Sequence, residues 1–296
     1  MDFQGEKFNA YGVAPRAATP ALSIGAVLVD SGKITTEDAG RVMRLQRELG
    51  LRFGDAAVKL RLITEAELAQ ILSRQYEFPY LVPGESKLSR ELVAAYAPFD
   101  PRVETFRALR SQLMLRWFNP ELGLKHLAIV SPYRGEGRSY LAANMAVVFS
   151  QLGLRTLLID ADMRNPRQHA LFNLENRAGL STVLAGRADV DVIEEITPLS
   201  CLSVLPAGPL PPNPQELLNR PALRTLLAKL DKDNDILILD TPAADGSADA
   251  QTIASRDCGA LIVARKNRTA VSAVRTLFEH LTNTSTTLVG TVLNTA

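Results

Sequence analysis

Residues 126–164 limit the fold more than any other part of the chain. They run as an apolar stretch (Leu127 to Val130), a glycine-bearing turn (Ser131-Pro-Tyr-Arg-Gly-Glu-Gly-Arg-Ser139), a helical stretch, a second apolar stretch (Leu157 to Ile159) and Asp160-Ala-Asp162-Met-Arg164. The order is strand, tight loop, helix, strand, paired carboxylates. Gly135 and Gly137 let successive backbone N–H groups face one anion, and a helix starting near Arg138 adds the positive end of its dipole. A polyphosphate is the expected guest. Ser139 falls where the hydroxyl of such a loop ligates Mg2+, and Asp160 and Asp162 follow the strand end at which doubly wound sheets bind ligands. The loop departs from GxxxxGK[ST] twice, with Pro132 for the first glycine and Arg138 for the lysine. Arginine keeps the charge but meets phosphates with a planar fork. Alone, such a loop fits a plain glycine turn about as well; its neighbours decide.

The chain has 296 residues, 46% hydrophobic and 22% charged, enough for two globular domains. A net charge of +1 provides no global attraction to nucleic acid or to an anionic surface, and no nucleic-acid partner is expected. Cys201 and Cys258 lie in apolar, strand-like contexts and read as buried thiols of a reducing compartment. His126, His169 and His280 lack ligand spacing, which argues against zinc. No apolar run approaches the ~20 residues that span a bilayer, so a cytoplasmic protein is expected, with any membrane role through a partner.

Residues 1–22, with Gly5, Gly12, Pro15 and Pro20, read as a flexible lead-in. A repeat at a spacing of 29 follows: Gly25 with Gly54, Val29 with Val58, Ile34-Thr35 with Ile63-Thr64, Gln46 with Gln75. Each copy has a short apolar helix, a threonine cap backed by an acid (Thr35 or Thr36 with Glu37; Thr64 with Glu65 and Glu67) and an amphipathic helix. A small helical domain is expected over 23–82, and the prolines and glycine of 83–101 around a short helical piece read as a linker. From Pro101 a helix is predicted with Val103, Phe106, Leu109, Leu113 and Trp117 on one stripe. Glu104, Arg107 and Arg110 lie on another stripe, which on composition alone is a solvated, ion-paired face. Apolar runs at 202–205, 236–239, 260–264 and 287–293 continue a parallel-sheet rhythm, and Asp240-Thr-Pro242 ends one of them. The fold class is therefore α/β: a doubly wound, mainly parallel P-loop NTPase domain over 102–296, preceded by a small helical domain.

The repeats resemble the N-terminal domain of type II secretion and pilus ATPases. Arg52-Phe53-Gly54 and Gln75 carry the likeness in the second copy, and Ile24-Gly25, Gly32, Ile34 and Gln46 in the first. Some members bind cyclic di-GMP there, which makes Gly25, Arg52, Phe53 and Gly54 candidates for that ligand; the alternative is a scaffold or partner-docking domain. Ser23 stands where the first copy's arginine belongs, and Arg61 where the second copy's glycine belongs.

Residues 102–293 resemble the bacterial tyrosine kinases of exopolysaccharide gene clusters, of the EpsG chain-length-determinant type. The likeness rests on Glu104-x-x-Arg107-x-x-Arg110, the 131–139 loop, Asp160-Ala-Asp162-Met-Arg164-Asn-Pro166, Gly179 to Gly186, Leu205 to Gly208, Pro212 to Leu218 and the run ending at Asp240-Thr-Pro242. The resemblance implies ATP and Mg2+ as cofactors, with ATP held by Arg134, Gly135, Glu136, Gly137, Arg138, Ser139 and Tyr140. It implies metal contacts from Ser139, Asp160 and Asp240, and catalytic roles for Asp160 (orienting or deprotonating a tyrosine hydroxyl), Asp162 and the phosphate-clamping Arg138. Phosphoryl transfer needs positioned charge above all, which these residues supply.

The same resemblance makes Glu104, Arg107 and Arg110 an oligomerisation surface of a homo-oligomer, in some members a ring. A membrane polysaccharide co-polymerase is the implied activator, leaving the protein cytoplasmic and peripheral to the inner membrane. The tyrosines are Tyr11, Tyr76, Tyr80, Tyr96, Tyr133 and Tyr140, so the family's C-terminal tyrosine cluster has no counterpart in this sequence. Tyr133 and Tyr140 read as packing residues. Three functions follow: an autokinase-type tyrosine kinase controlling polymer length and export, an ATP-binding regulatory subunit with weak or no phosphotransfer, or a ParA- or MinD-like ATPase.

Overall fold

The computed structural model describes residues 24–64, 67, 68, 71, 80, 81, 84–284 and 286–295. The lead-in, Glu65 and Gln75 lie outside them. The chain divides into two units between Glu77 and Phe78.

In the first unit, α1 (Ile24–Asp30), α2 (Thr36–Leu49) and α3 (Phe53–Lys59) enclose Leu28, Val42, Ala56 and Ala57. Thr35 caps α2 in a reciprocal box with Asp38 rather than with Glu37, because the third helical residue is the one that reaches back to the cap N–H. Thr64 and Glu67 repeat that exchange. The repeated glycines do equivalent work: a Cβ on Gly25 would lie 3.1 Å from the Phe53 ring, and one on Gly54 only 2.4 Å from Leu68. Gly32 turns left-handed at φ 68°, and its counterpart Arg61 takes φ 56°. That is the position where the pattern asks for glycine, and an L side chain there is strained.

The second unit is built on seven strands: β1 (His126–Val130), β2 (Thr156–Asp160), β3 (Glu194–Glu195), β4 (Leu202–Leu205), β5 (Ile236–Asp240), β6 (Gly259–Arg265) and β7 (Thr287–Asn294). Their order is β3-β4-β2-β5-β1-β6-β7, and every pairing is parallel except β3 with β4. The inner strands are mostly apolar on both faces because both are covered, with polar residues mainly at their ends (His126, Thr156, Asp160, Asp240). Leu127, Ile129, Leu158, Ile238, Leu261 and Val263 face one layer; Ala128, Val130, Leu157, Ile159, Leu239 and Ile262 face the other. The first layer holds α4 (Val93–Tyr96), α5 (Pro101–Arg116) and α6 (Arg138–Ser150). The second holds α10 (Pro221–Leu230), α11 (Asp249–Ala254) and α12 (Val271–Thr282). Short helices α7 (Gln168–Leu171), α8 (Leu180–Leu184) and α9 (Pro214–Asn219) lie in the connections.

Three expectations differ. The described part of 83–101 is not a spacer: Leu92, Val93, Ala94 and Ala95 are buried in the first layer. The Ala94 N–H donates to Asn144 Oδ1 at 3.0 Å, and Gln151 Nε2 donates to the Ala94 carbonyl at 3.0 Å. The stripe on α5 buries Val103, Phe106, Leu113 and Trp117, but Arg107 and Arg110 are not a solvated face. Arg107 donates to the Pro98 carbonyl and to the Tyr80 hydroxyl, and Arg110 to the Val148 carbonyl at 2.6 Å. Glu104, which pairs with Arg107, is the exposed member of the three. Cys201 is exposed at φ 66° in the turn before β4, whereas Cys258 is buried.

Candidate phosphate and metal site

β1 is an inner strand, between β5 and β6, and releases the chain into the loop at 131–137 at its carboxyl end. Gly135 (φ 76°) and Gly137 (φ 99°) both take left-handed conformations, and a Cβ on Gly137 would sit 2.3 Å from Asn294 Nδ2. Gly137 caps α6 without a side-chain bond, so the first N–H groups of that helix have no intrahelical acceptor. That arrangement is suited to an anion.

The loop is held from several sides. Glu136 is fully buried; its Oε2 accepts from the Tyr133 N–H at 2.8 Å and its Oε1 from the Thr269 hydroxyl. Asn294 Nδ2 donates to the Glu136 carbonyl at 2.9 Å, and Arg265 Nη1 to the Gly135 carbonyl at 3.1 Å. Glu136 thus acts on the loop through its side chain as a brace, rather than by offering it to phosphate. Arg134 is exposed and bonds Asn165 Oδ1 at 2.5 Å. Tyr140 packs on Phe106 with ring centroids 5.9 Å apart.

Arg138 is almost completely buried. Its Nε donates to the Thr241 carbonyl at 2.8 Å, and its Nη1 to the Tyr133 carbonyl at 2.8 Å and to Ser131 Oγ. Nη2 makes no hydrogen bond among the described residues and lies 3.9 Å from Asp162 Oδ2. Burial holds this guanidinium's pKa below its usual range, opposed by Asp240, Asp162 and Glu136. The fork is therefore fixed on two nitrogens, and the third faces the Asp162 carboxylate.

Asp160 and Asp240 are paired across β2 and β5. Asp160 Oδ2 accepts from the Arg167 N–H at 3.0 Å and the Gln168 N–H at 2.9 Å. Asp240 Oδ2 accepts from Gln168 Nε2 at 2.7 Å, and the Ser139 hydroxyl also bonds this carboxylate. The other oxygen of each, Oδ1, is buried without a partner. Burial raises the Asp160 pKa well above the usual carboxylate range, with the Asp240 charge adding to it; burial likewise lifts Asp240 to about 6. Two buried carboxylates of one sign, each with an orphaned oxygen, together with a serine hydroxyl at Asp240, fit a divalent cation, which would neutralise both. The described residues hold no cluster of three or more His, Cys, Asp or Glu placed for a metal. Two acids and a hydroxyl match the way Mg2+ is taken by proteins, with phosphate oxygens and water completing the shell. Ser139, Asp160 and Asp240 would hold it there. When bound, the cation would spread the charge of a transferring phosphoryl group.

Asp162 stands apart: its Oδ1 accepts from the Asn165 N–H at 2.9 Å, and its other oxygen faces Arg138. Arg164 anchors the following loop to buried Asp249 at 2.7 Å. Gln168, Thr241, Thr269 and Asn294 are the site residues that the sequence did not single out. Gln168 has the clearest signal, an amide two residues beyond Pro166 where the helix after the acidic motif begins.

A glycine loop from an inner parallel strand, with aspartates ending the neighbouring β5 and the next strand β2, defines a P-loop NTPase fold, a class that binds nucleotide with Mg2+. Residues 124–296 match the family model described as ParA: NUBPL iron-transfer P-loop NTPase. The chain is 34% identical over 209 residues to the tyrosine-protein kinase YwqD of Bacillus subtilis strain 168, covering 71% of this chain and 87% of that one. It is 31% identical over 204 residues to the tyrosine-protein kinase wzc of Salmonella typhimurium, covering 69% of this chain but 28% of that longer protein. The kinase domain of the Escherichia coli tyrosine kinase ETK superposes with a TM-score of 0.65 at 31% identity, covering 69% of this chain and 79% of that one. The chain belongs to the bacterial tyrosine kinases, a branch of these P-loop proteins. No described helix is long and apolar enough to cross a membrane.

Proposed function

We propose that the protein is an ATP-dependent protein tyrosine kinase that regulates exopolysaccharide polymerisation, chain length and export. The observation that carries this is that Gln168 joins Asp160, Asp240 and the Ser139 turn, with the buried Arg138 guanidinium in the field of Asp240 and Asp162. Beside Gly135 and Gly137 lies a cavity of about 410 Å3, lined by apolar Phe106, Leu141, Val263 and Val292 and by polar groups such as Arg102, Arg265 and Asn294. A largely apolar lining with a few polar groups suits a purine and its ribose. Asp160, whose buried carboxyl is held well above the usual carboxylate range and which faces the loop from the end of β2, is the group to take the tyrosyl proton.

The activator in this reading is the cytoplasmic part of a membrane polysaccharide co-polymerase, which would bring a cytoplasmic kinase to the inner membrane. Self-association would use α5, where Glu104, paired with Arg107 but exposed, is the residue within reach of a neighbouring subunit. Incubation with labelled ATP, Mg2+ and the co-polymerase's cytoplasmic fragment should label tyrosine. The label should vanish in Asp160→Asn.

One observation favours a second reading, a regulatory subunit with slow phosphotransfer. Arg138 is bonded to protein on two of its three nitrogens, unlike a mobile lysine ammonium. Mg2+-dependent ATP binding and assembly without labelled tyrosine would establish it. In the first unit, close packing accounts for Gly25 and Gly54, and exposed Arg52 is the residue through which cyclic di-GMP binding is tested.

A further inference from the structure

Gln168 begins α7 and is fully buried. A long amide side chain is seldom buried unless it satisfies several partners. Here it links three separate segments. Its backbone N–H donates to Asp160 Oδ2 at 2.9 Å, and its Nε2 donates to Asp240 Oδ2 at 2.7 Å and to the Ser139 carbonyl at 3.1 Å. One residue therefore ties the ends of β2 and β5 to the first turn of α6. All three residues proposed to hold the cation are bonded to it.

The remaining atom of the amide, Oε1, is buried and has no partner, as are Asp160 Oδ1 and Asp240 Oδ1. Each unpaired buried oxygen carries a desolvation cost. Three of them on residues joined by hydrogen bonds, Asp160 through the Gln168 N–H and Asp240 through its amide, mark one unfilled demand rather than three unrelated faults. All three are acceptors without a proton of their own while the acids are ionised, so the missing species is a donor or a cation.

We propose that Gln168 is a positioning residue for the nucleotide's cation. The amide nitrogen fixes the Asp240 carboxylate and the Ser139 turn at one spacing, and the amide oxygen adds a neutral acceptor for a water of the cation's shell. A neutral oxygen does this without a third negative charge beside two buried acids. The proposal rests on reading the site as one for a nucleotide with Mg2+.

The test is calorimetric binding of a non-hydrolysable ATP analogue to the full chain, in EDTA and across a MgCl2 titration. Gln168→Met keeps the side-chain length and removes donor and acceptor together. It should leave binding in EDTA within about twofold of the parent and raise the Mg2+ concentration for half-maximal enhancement at least tenfold. Gln168→Asn retracts the same amide by one methylene; it should shift the Mg2+ requirement in the same direction and serves if the methionine variant does not fold. A merely structural role would weaken binding equally with and without metal, and that result overturns the proposal. So does an unchanged Mg2+ requirement in a folded variant. A parent chain that shows no Mg2+-dependent binding removes the underlying reading and the proposal with it.

Discussion

Replacing Asp240 by asparagine should stabilise the protein while removing its use for metal. Asp240 is fully buried, and burial raises its carboxyl to about 6 from an ordinary 3.8, although Gln168, Ser139 and Arg138 pull the other way. At 1.4 kcal/mol per pH unit, ionising it in the folded chain costs about 3 kcal/mol more than in the unfolded chain. The folded pKa is the higher one, so between pH of about 4 and about 6 the folded state holds more protons than the unfolded state. Stability therefore falls as pH rises through that window, and the whole deficit is present above it. Asparagine carries no such deficit and also relieves Asp160, whose raised pKa the Asp240 charge reinforces. Against this stand one or two weakened hydrogen bonds at about 1 kcal/mol each. The net gain is about 1–2 kcal/mol at pH 7.5, or a melting temperature roughly 2–8 °C higher for a unit of this size. Calorimetric melts in EDTA at pH 7.5 and pH 4.5 measure it: the gain should be present at the first and lost or reversed at the second. A variant that melts lower at pH 7.5, or by an offset that pH does not change, would mean that the buried Asp240 charge is not a net cost to the fold.

Gly137→Ala meets both a left-handed φ of 99° and a Cβ 2.3 Å from Asn294 Nδ2. It should cost roughly 1–3 kcal/mol in a chemical melt and weaken nucleotide binding by displacing the loop from β7. Arg138→Lys abandons the bonds to the Thr241 carbonyl and Ser131; denaturation in the absence of nucleotide should show a loss of about 1–3 kcal/mol. Ser139→Ala should leave the melting temperature within about 2 °C and lower the Mg2+-dependent part of ATP binding at least tenfold by calorimetry. If the first unit carries the cyclic-dinucleotide function of the domain it resembles, cyclic di-GMP titrations should saturate for the parent and lose at least tenfold in affinity for Arg52→Ala. Saturable binding that ignores this change would place the ligand elsewhere.

The sheet was legible because a strand covered on both faces reads as a nearly continuous apolar run rather than an alternating one. Leu127 to Val130, Leu202 to Leu205 and Ile236 to Leu239 therefore stood out with nearly their observed limits. β3 was not legible: Glu194–Glu195 is an exposed two-residue edge strand with neither length nor alternation. The segment after Pro83 looked like a linker since its prolines and glycine describe turns and carry no sign of what the turns pack against. Its role appears only when Asn144 and Gln151, on and just after α6, reach back to Ala94. The acids of the site were evident from their place at strand ends. The groups that brace them were not. Gln168, Thr269 and Asn294 come from separate connections and strands, and no spacing in the chain relates them before folding. Arg107 and Arg110 illustrate the converse, because a charge at helical spacing says nothing about a carbonyl such as that of Val148 lying within its reach.

The glycine loop and the strand-end aspartates should together grip one magnesium-bearing triphosphate. Isothermal calorimetry of the full chain with ATP, once in EDTA and once in millimolar MgCl2, measures that grip. Saturable heat is expected at one site per chain, at least tenfold tighter with Mg2+, with loss of the Mg2+-dependent part in Asp240→Asn. Absence of heat under both conditions, or binding that neither Mg2+ nor Asp240→Asn alters, would contradict it.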